Sequence, residues 1–330
     1  MHSIKDIAIV ILNWNGKALL EQFLPSVISH SEGAAIYVAD NNSSDNSVAF
    51  VSEVFPEIKI IQNSENGGYA KGYNDALASV SEPLLCLLNS DIEVTKDWLL
   101  PILDAFNNSK STAIIQPKIL DFKRKSHFEY AGAAGGFIDK YGFPYCRGRI
   151  FDTIEEDSSQ YNDRIPIFWA SGACFFIRNS VFKSLGGFDE SYFAHMEEID
   201  LCWRAFNANY NSEYVGTSTV YHVGGATLSN TNPKKTYLNF RNSLMTLVKN
   251  TDKHVFIRTV LRMKLDGIAA LRFLVQGKPK YFMAVLKAHG SFYRNLGRIL
   301  KLRKDQSKRS NYYTTNSIVW SYFIKKHKTF

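Results

Sequence analysis

The sequence has few cysteines and no close pair of them. Cys86, Cys146, Cys174 and Cys202 lie 28 to 60 residues apart with no C-x-x-C spacing, which argues against a zinc knuckle or a dense disulfide framework and favours a reduced, cytoplasmic setting. No run of 18 apolar residues occurs, so no segment reads as a membrane-spanning helix. The apolar run near the amino terminus, Ile7 to Leu12, has only six residues and follows Asp6, too short and wrongly flanked for a signal peptide. Repeats and low-complexity tracts are absent. Acids are scarce in one region: residues 251–330 hold 18 Lys and Arg against Asp252, Asp266 and Asp305, a net of +15, while the first 250 residues carry −7. An acidic body with a basic tail points to two different jobs.

What is present is enough for a sizeable core. The 330 residues are 45% hydrophobic and 14% aromatic, which excludes disorder and allows one large domain with an appendage. Apolar runs at 6–12, 34–40, 58–63 and 83–94 alternate with helical spacing at 18–30, 45–55 (Asp45 as N-cap) and 68–80. This β-α-β-α-β-α-β order predicts an α/β fold, a mostly parallel sheet with helices on both faces. Residues 121–165 read as loops with short strands. A strand through Ser171-Gly172, a helix over 196–210 and a last core strand at 218–225 follow, and the chain is helical and basic after 235. Each early strand ends in polar residues, and right-handed crossovers bring those ends to one edge, where open α/β sheets bind ligands.

Four groups carry chemistry. Asn66-Gly67-Gly68 opens a helix and is either a plain turn or a phosphate cradle, without the spacing of a dinucleotide fingerprint or a P-loop. Asn89 and Asp91 share one face if the fourth strand continues through them, a pair of oxygen ligands suited to Mg²⁺ or Mn²⁺; alternatively Asp91 belongs to a helix start, with Thr95 or Asp97 as the cap. Glu197, Glu198 and Asp200 crowd a helix start. The helix dipole accounts for one of them, and mutual repulsion raises a carboxyl pKa into the range of a general base. His222 interrupts an apolar strand, either as a hydrogen-bonded core residue or as a partner of Asp91 on a metal. His195 reads as a surface residue.

Seven segments in order, "VILNWNG" (10–16), "VADNNSSDNS" (38–47), "NGGYAKGYN" (66–74), "LLNSDIEV" (87–94), "SGACFFIRNSVFKSLGGFDESYF" (171–193), "MEEIDLCWR" (196–204) and "HVGGAT" (222–227), together resemble inverting family 2 glycosyltransferases of the GT-A fold, in particular the rhamnosyltransferase-like branch of cell-surface polysaccharide synthesis. The resemblance covers roughly residues 5–245. It implies a catalytic domain over 1–245 and a basic helical extension over 246–330. It further implies that Asn13, Asn15 and Asp40 hold the nucleobase of a sugar nucleotide, with Asn66, Lys71 and Asn74 beside base and ribose. Asn89-Ser90-Asp91 stands in the family's D-x-D place, so Asp91, with His222, would bind a divalent cation, Mn²⁺ or Mg²⁺, that bridges the donor diphosphate. Ser171, Gly172, Gly187 and Asp189 would shape the sugar and acceptor site, and Glu197, Glu198 and Asp200 the catalytic set, with Glu198 at the base position. Arg241, followed by Asn242, matches a diphosphate-holding pair. Asn89 and Glu198 each depart from the family's more usual Asp.

The expected donor is a UDP-, dTDP- or GDP-linked sugar and the acceptor a glycan or lipid-linked hydroxyl. A nucleotidyltransferase would call for a Gly-rich, basic first strand-helix turn, whereas "NWNGK" has one glycine. A non-catalytic sugar-nucleotide sensor would have no need of Asp91, Glu198 and His222 together. The basic tail is either a soluble appendage or an interfacial segment for the anionic inner face of a membrane. It carries no nucleic-acid-binding motif, so no nucleic acid is expected as a partner.

Overall fold

The computed structural model describes residues 1–224, 232–304 and 308–330. Its first half alternates as read: β1 (Ile7–Asn13), α1 (Lys17–His30), β2 (Ala35–Asp40), α2 (Ser47–Val54), β3 (Lys59–Gln62), α3 (Gly68–Leu77) and β4 (Leu84–Asn89). Period-two alternation divides the apolar strands between two cores. Ala8, Val10, Leu85 and Leu87 join one, whereas Ile7, Ile9, Ile11, Leu84, Cys86 and Leu88 join the other.

Short elements follow: β5 (Ile92–Val94), α4 (Leu99–Asn108), β6 (Thr112–Asp121), β7 (Gly136–Ile138), β8 (Pro144–Cys146), β9 (Arg149–Ile150), β10 (Thr153–Ile154) and β11 (Arg164–Ile167). The chain continues through β12 (Cys174–Arg178), α5 (Asn179–Ser184), α6 (Glu197–Asn207) and β13 (Asn211–His222), then α7 (Pro233–Asn250), α8 (Val255–Val275), α9 (Pro279–Lys304) and α10 (Ile318–Phe323). The main sheet runs β11-β13-β6-β12-β4-β1-β2-β3, with β5 on β13. Strands β1, β2, β3, β4, β6 and β13 share one direction, so the fold is α/β with a mostly parallel sheet. The carboxyl ends of β1, β2, β4 and β13 therefore meet at one rim. The four short strands β7 to β10 form a separate small sheet, and Tyr145 and Ile150 from it pack on Ile318 and Tyr322 of α10.

Several local expectations are corrected. The fourth strand stops at Asn89, Ser90 and Asp91 make a turn, and β5 departs to pair with β13. Ser171-Gly172 precede β12 rather than lying in it. Strand β6 is unanticipated, because buried Gln116 and Lys118 and the intervening Pro117 break its apolar run. The last strand begins at Asn211, seven residues before 218, and absorbs a register shift between Val215 and Thr219. Asn46, not Asp45, occupies the N-cap of α2, and the Asp45 carboxylate accepts from Lys17 and Ser47 backbone N–H. Thr95 and Asp97 do not cap α4; Trp98 holds that position and the Thr95 hydroxyl donates to Thr219 O at 2.7 Å. Gly225, Ala226 and Thr227 of the last motif lie outside the described residues.

Candidate functional site

On the β1–β3 side the rim is a web of hydrogen-bonded polar side chains. Asn13, fully buried at the end of β1, pairs in register with Asp40 and donates from Nδ2 to Asp40 Oδ1 (3.1 Å) and Ser47 Oγ (2.9 Å). Its Oδ1 is buried without a partner. Asn15 takes a left-handed backbone (φ 51°) and its Oδ1 accepts from the Ser44 and Asp45 N–H groups. Asn66 Oδ1 accepts from Gly68 N and Asn41 Nδ2. Two residues expected beside the base and ribose are engaged elsewhere. Lys71 donates to Asp75 at 2.6 Å, and Asn74 brackets Phe188, donating to its O (3.0 Å) and accepting from its N (2.9 Å), which fixes the turn at Gly187 (φ 67°).

At the end of β4 the turn brings Asn89 and Asp91 together by a route other than a continuing strand. Asp91 Oδ1 stands 3.1 Å from His222 Nε2, Asn89 Nδ2 stands 3.4 Å from the same atom, and Ser90 is half-buried beside them. Glu129, which the sequence reading passed over, lies 3.4 Å from the other ring nitrogen, Nδ1. Burial acts to lower the His222 pKa, but the two carboxylates outweigh it and push the pKa up to about 10. Among the described residues no group of three or more His, Cys, Asp or Glu side chains is arranged to hold a metal. The Asp91–His222 pair alone does fit a cation whose remaining ligands are phosphate oxygens, the habit of Mg²⁺-like ions. At 3.1 Å the two atoms are within hydrogen-bond reach, so a cation held there would displace the proton between them.

Segment 171–173 links this pair to the acids of α6. Asn89 N–H donates to Ala173 O (2.9 Å), the Ser171 hydroxyl donates to Ala131 O, and Tyr69 O–H donates to Gly172 O at 2.7 Å. A Cβ added at Gly172 would sit 3.8 Å from Glu198 Cγ and 3.2 Å from Tyr69 Oη, so this segment packs directly against Glu198. Glu197 and Glu198 each keep a buried Oε2 without a partner. Burial pushes Glu198 up to about 7, and burial plus the charge of Glu198 drive Glu197 well above the usual carboxyl range.

The loop that leads into α6 is strained. Phe193, His195 and Met196 all have positive φ (63°, 69° and 75°), a cost that persists only where neighbours over-determine it. Asn242, fully buried, does this by donating from Nδ2 to Tyr192, Ala194 and His195 carbonyls, while Arg241 donates to Ser191 O and Tyr192 O. His195 is no surface residue: its Nε2 is buried and unpartnered, and burial, aided by Lys235, lowers its pKa to about 4. Asp200 points the other way, into the core. It accepts from Arg204 (2.8 Å), Lys249 (2.9 Å) and Asn250 (2.8 Å); burial would raise its pKa, yet Lys249 and Arg204 hold it low. This corrects its inclusion in the catalytic set, because a carboxylate so enclosed has no face toward the rim. Asp189 likewise pairs with Lys249 (2.9 Å) and Arg298 (3.3 Å).

Residues 8–186, more than half the chain, match the pattern of Glycosyl transferase family 2. The chain belongs to this family. It is a glycosyltransferase, and its known relatives agree. An N-acetylglucosaminyl-diphospho-decaprenol L-rhamnosyltransferase of Mycobacterium tuberculosis is 25% identical over 65% of this chain and 75% of its own. The low-salt glycan biosynthesis hexosyltransferase Agl10 of Haloferax volcanii is 26% identical over 84% of this chain and 87% of its own. Among solved structures, S. aureus TarS 1-349 in complex with UDP-GlcNAc superposes with a TM-score of 0.55 at 14% identity, covering 90% of this glycosyltransferase and 83% of that chain. Mannosyltransferase PcManGT from Pyrobaculum calidifontis, in complex with GDP-Man and Mn²⁺, gives 0.54 at 11% identity, covering 87% of each. These likenesses fix the fold as GT-A.

Proposed function

We propose that this glycosyltransferase moves a sugar, with inversion, from a nucleotide-diphosphate donor to a hydroxyl of a lipid-linked glycan at an anionic membrane surface. The catalytic domain spans residues 1–245 and the basic extension residues 246–330. Relatives whose names specify a diphospho-decaprenol acceptor or a glycan product, and neighbours bound to UDP-GlcNAc or GDP-Man, support the substrate classes. The observation that carries the reading is the short bridge 171–173, with the Asp91–His222 pair at one end and Glu198 at the other.

Asp91 and His222 would hold the divalent cation, which, when bound, neutralises charge developing on the departing diphosphate. The polar web of Asn13, Asn15, Asp40 and Asn66 offers donors and acceptors to the nucleobase and ribose. Glu198 accepts the proton of the attacking hydroxyl as it approaches the anomeric carbon opposite the leaving group. A positioned base of this kind contributes ~10² to 10⁴ in rate. Its pKa of about 7 is matched to that task. Asn242 and Arg241 hold the loop that leads into α6 and so to Glu198, and Asn89 and Ser90 complete the turn that presents Asp91.

Among the described residues no helix is long and apolar enough to cross a membrane. Titration calorimetry of UDP-, dTDP- and GDP-sugars with and without Mn²⁺ tests the donor reading. One nucleotide class should bind more tightly with the cation, and Asp91→Ala should remove that gain. Equal binding of every nucleotide with no response to Mn²⁺ would overturn it.

A further inference from the structure

Helix α8 is built inside out. The side turned to the rest of the molecule is polar: Arg262, only 3% exposed, donates to Asp266 Oδ1 (2.8 Å) and Gly142 O (3.0 Å), and buried Arg258 donates to Asp252 (3.2 Å) and Tyr312 (2.9 Å). The side turned outward is apolar. Phe256, Ile257, Ile268, Leu271, Leu274 and Val275 all lie exposed, Phe256 at 80% and Val275 at 89%. At 100° per residue they fall within one face of the helix, an apolar strip of the kind that marks an interaction surface, interrupted near its middle by exposed Lys264.

The charges around the strip select its occupant. Asp266, the only acid of α8, is wholly buried, and Asp252 pairs inward with Arg258. Lys264 and Arg272 are exposed on the outward side, and Lys278 and Lys280 are exposed at the turn after it. Among the described residues of α8 and the turn after it every exposed charge is a base, with Lys264 inside the strip and Arg272 at its edge, which is complementary to acyl chains beneath anionic headgroups. A second copy of the same face would set Lys264 and Arg272 against their own counterparts with no acid between them.

We infer that α8 is the membrane-docking element of the protein, lying in the plane of an anionic bilayer with Ile268, Leu271 and their neighbours inserted among the lipids. The inference rests on the lipid-linked acceptor proposed above and names the surface that meets the bilayer.

Flotation of the full chain with vesicles of phosphatidylcholine, with and without phosphatidylglycerol, tests it. The wild type should float with the anionic vesicles and be released progressively by salt. The double variant Ile268→Asp/Leu271→Asp should lose binding about tenfold or more, since two apolar side chains leave the lipid. It should keep its thermal midpoint and its nucleotide-sugar binding, because both positions are exposed. Val54→Asp, an equally exposed site on α2, should float as the wild type does. Undiminished flotation of the double variant would overturn the proposal. So would a wild type that ignores vesicles and instead forms a concentration-dependent dimer, seen in sedimentation, that the double variant abolishes. A wild type that floats through α8 yet binds no nucleotide sugar would sink the sugar-transfer reading and leave this one standing.

Discussion

The first turn of helix α6 handles its buried carboxyls in opposite ways. Toward the rim, Glu198 and its neighbour Glu197 are enclosed with no cation beside them, each with an oxygen lacking any partner, and their pKa values rise. On the core side, two residues further along the same turn, Asp200 is more deeply buried still, but Arg204, Lys249 and Asn250 surround it and its pKa falls. Burial penalises a charge and a nearby opposite charge restores it, so the presence or absence of a base decides which acid can take up a proton. The core-side acid fixes the helix; the rim-side acids are left reactive.

The largest expected effect breaks the rim side. Glu198→Gln keeps shape and removes the proton acceptor, and transfer should fall by ~10² to 10⁴ with the thermal midpoint held or raised. Asp91→Ala should abolish transfer as well, through the donor rather than the acceptor. Wild-type turnover by either variant, measured on a donor the protein binds, would remove that residue from the mechanism. The mirror-image change is Lys249→Ala on the core side. It leaves Asp189 and Asp200 buried without their shared cation, and breaking such a network should cost about 3–5 kcal/mol in urea unfolding. A loss below about 1 kcal/mol would show that Arg204 and Arg298 suffice.

This contrast is only partly legible in the sequence. The strands β1 to β4 are, because each is a short apolar run closed by polar residues, and so is the meeting of their ends at one rim. Strand β6 is hidden by Pro117 and by Gln116 and Lys118, the last two buried through side-chain bonds to Gly132, Asp157 and Asn162 that no local pattern encodes. Of the two cations that separate Asp200 from the other acids of α6, Arg204 stands at the legible i,i+4 spacing, but Lys249 sits 49 positions away. Glu129 could have been noticed as a lone acid in a Gly- and aromatic-rich stretch, but its approach to His222 follows from the fold. The strained backbone at 193–196 has no signal beyond the conspicuous Asn242 that supports it.

A smaller effect sharpens the comparison at that support. Asn242→Ala deletes three side-chain bonds to loop carbonyls and touches neither carboxyl. Stability should fall by about 1–3 kcal/mol, and kcat should fall more than the affinity for donor, because what moves is the ledge carrying Glu198. A variant with normal kcat and weakened donor binding would instead point to a direct role of the Arg241–Asn242 pair on the diphosphate.

The smallest effect is in the pH dependence of stability, where the two sides should act on different limbs. Glu198 rises from the ordinary 4.5 to about 7 on folding. The folded state therefore holds that proton more tightly, and the stability it contributes is complete below about 4.5 and lost as pH climbs through about 7. Asp200 is held below its ordinary 3.8, so its contribution is present above that value and disappears as pH falls through the lowered one. Denaturation midpoints taken across pH should decline on the alkaline side for the wild type, and less steeply for Glu198→Gln, with Glu197 and, toward higher pH, His222 supplying what slope remains. Asp200→Asn should flatten the acid limb and leave the alkaline one intact. The kcat of the wild type should rise over the same interval near 7 in which its alkaline limb falls, because one deprotonation both activates the base and leaves a charge buried without a cation.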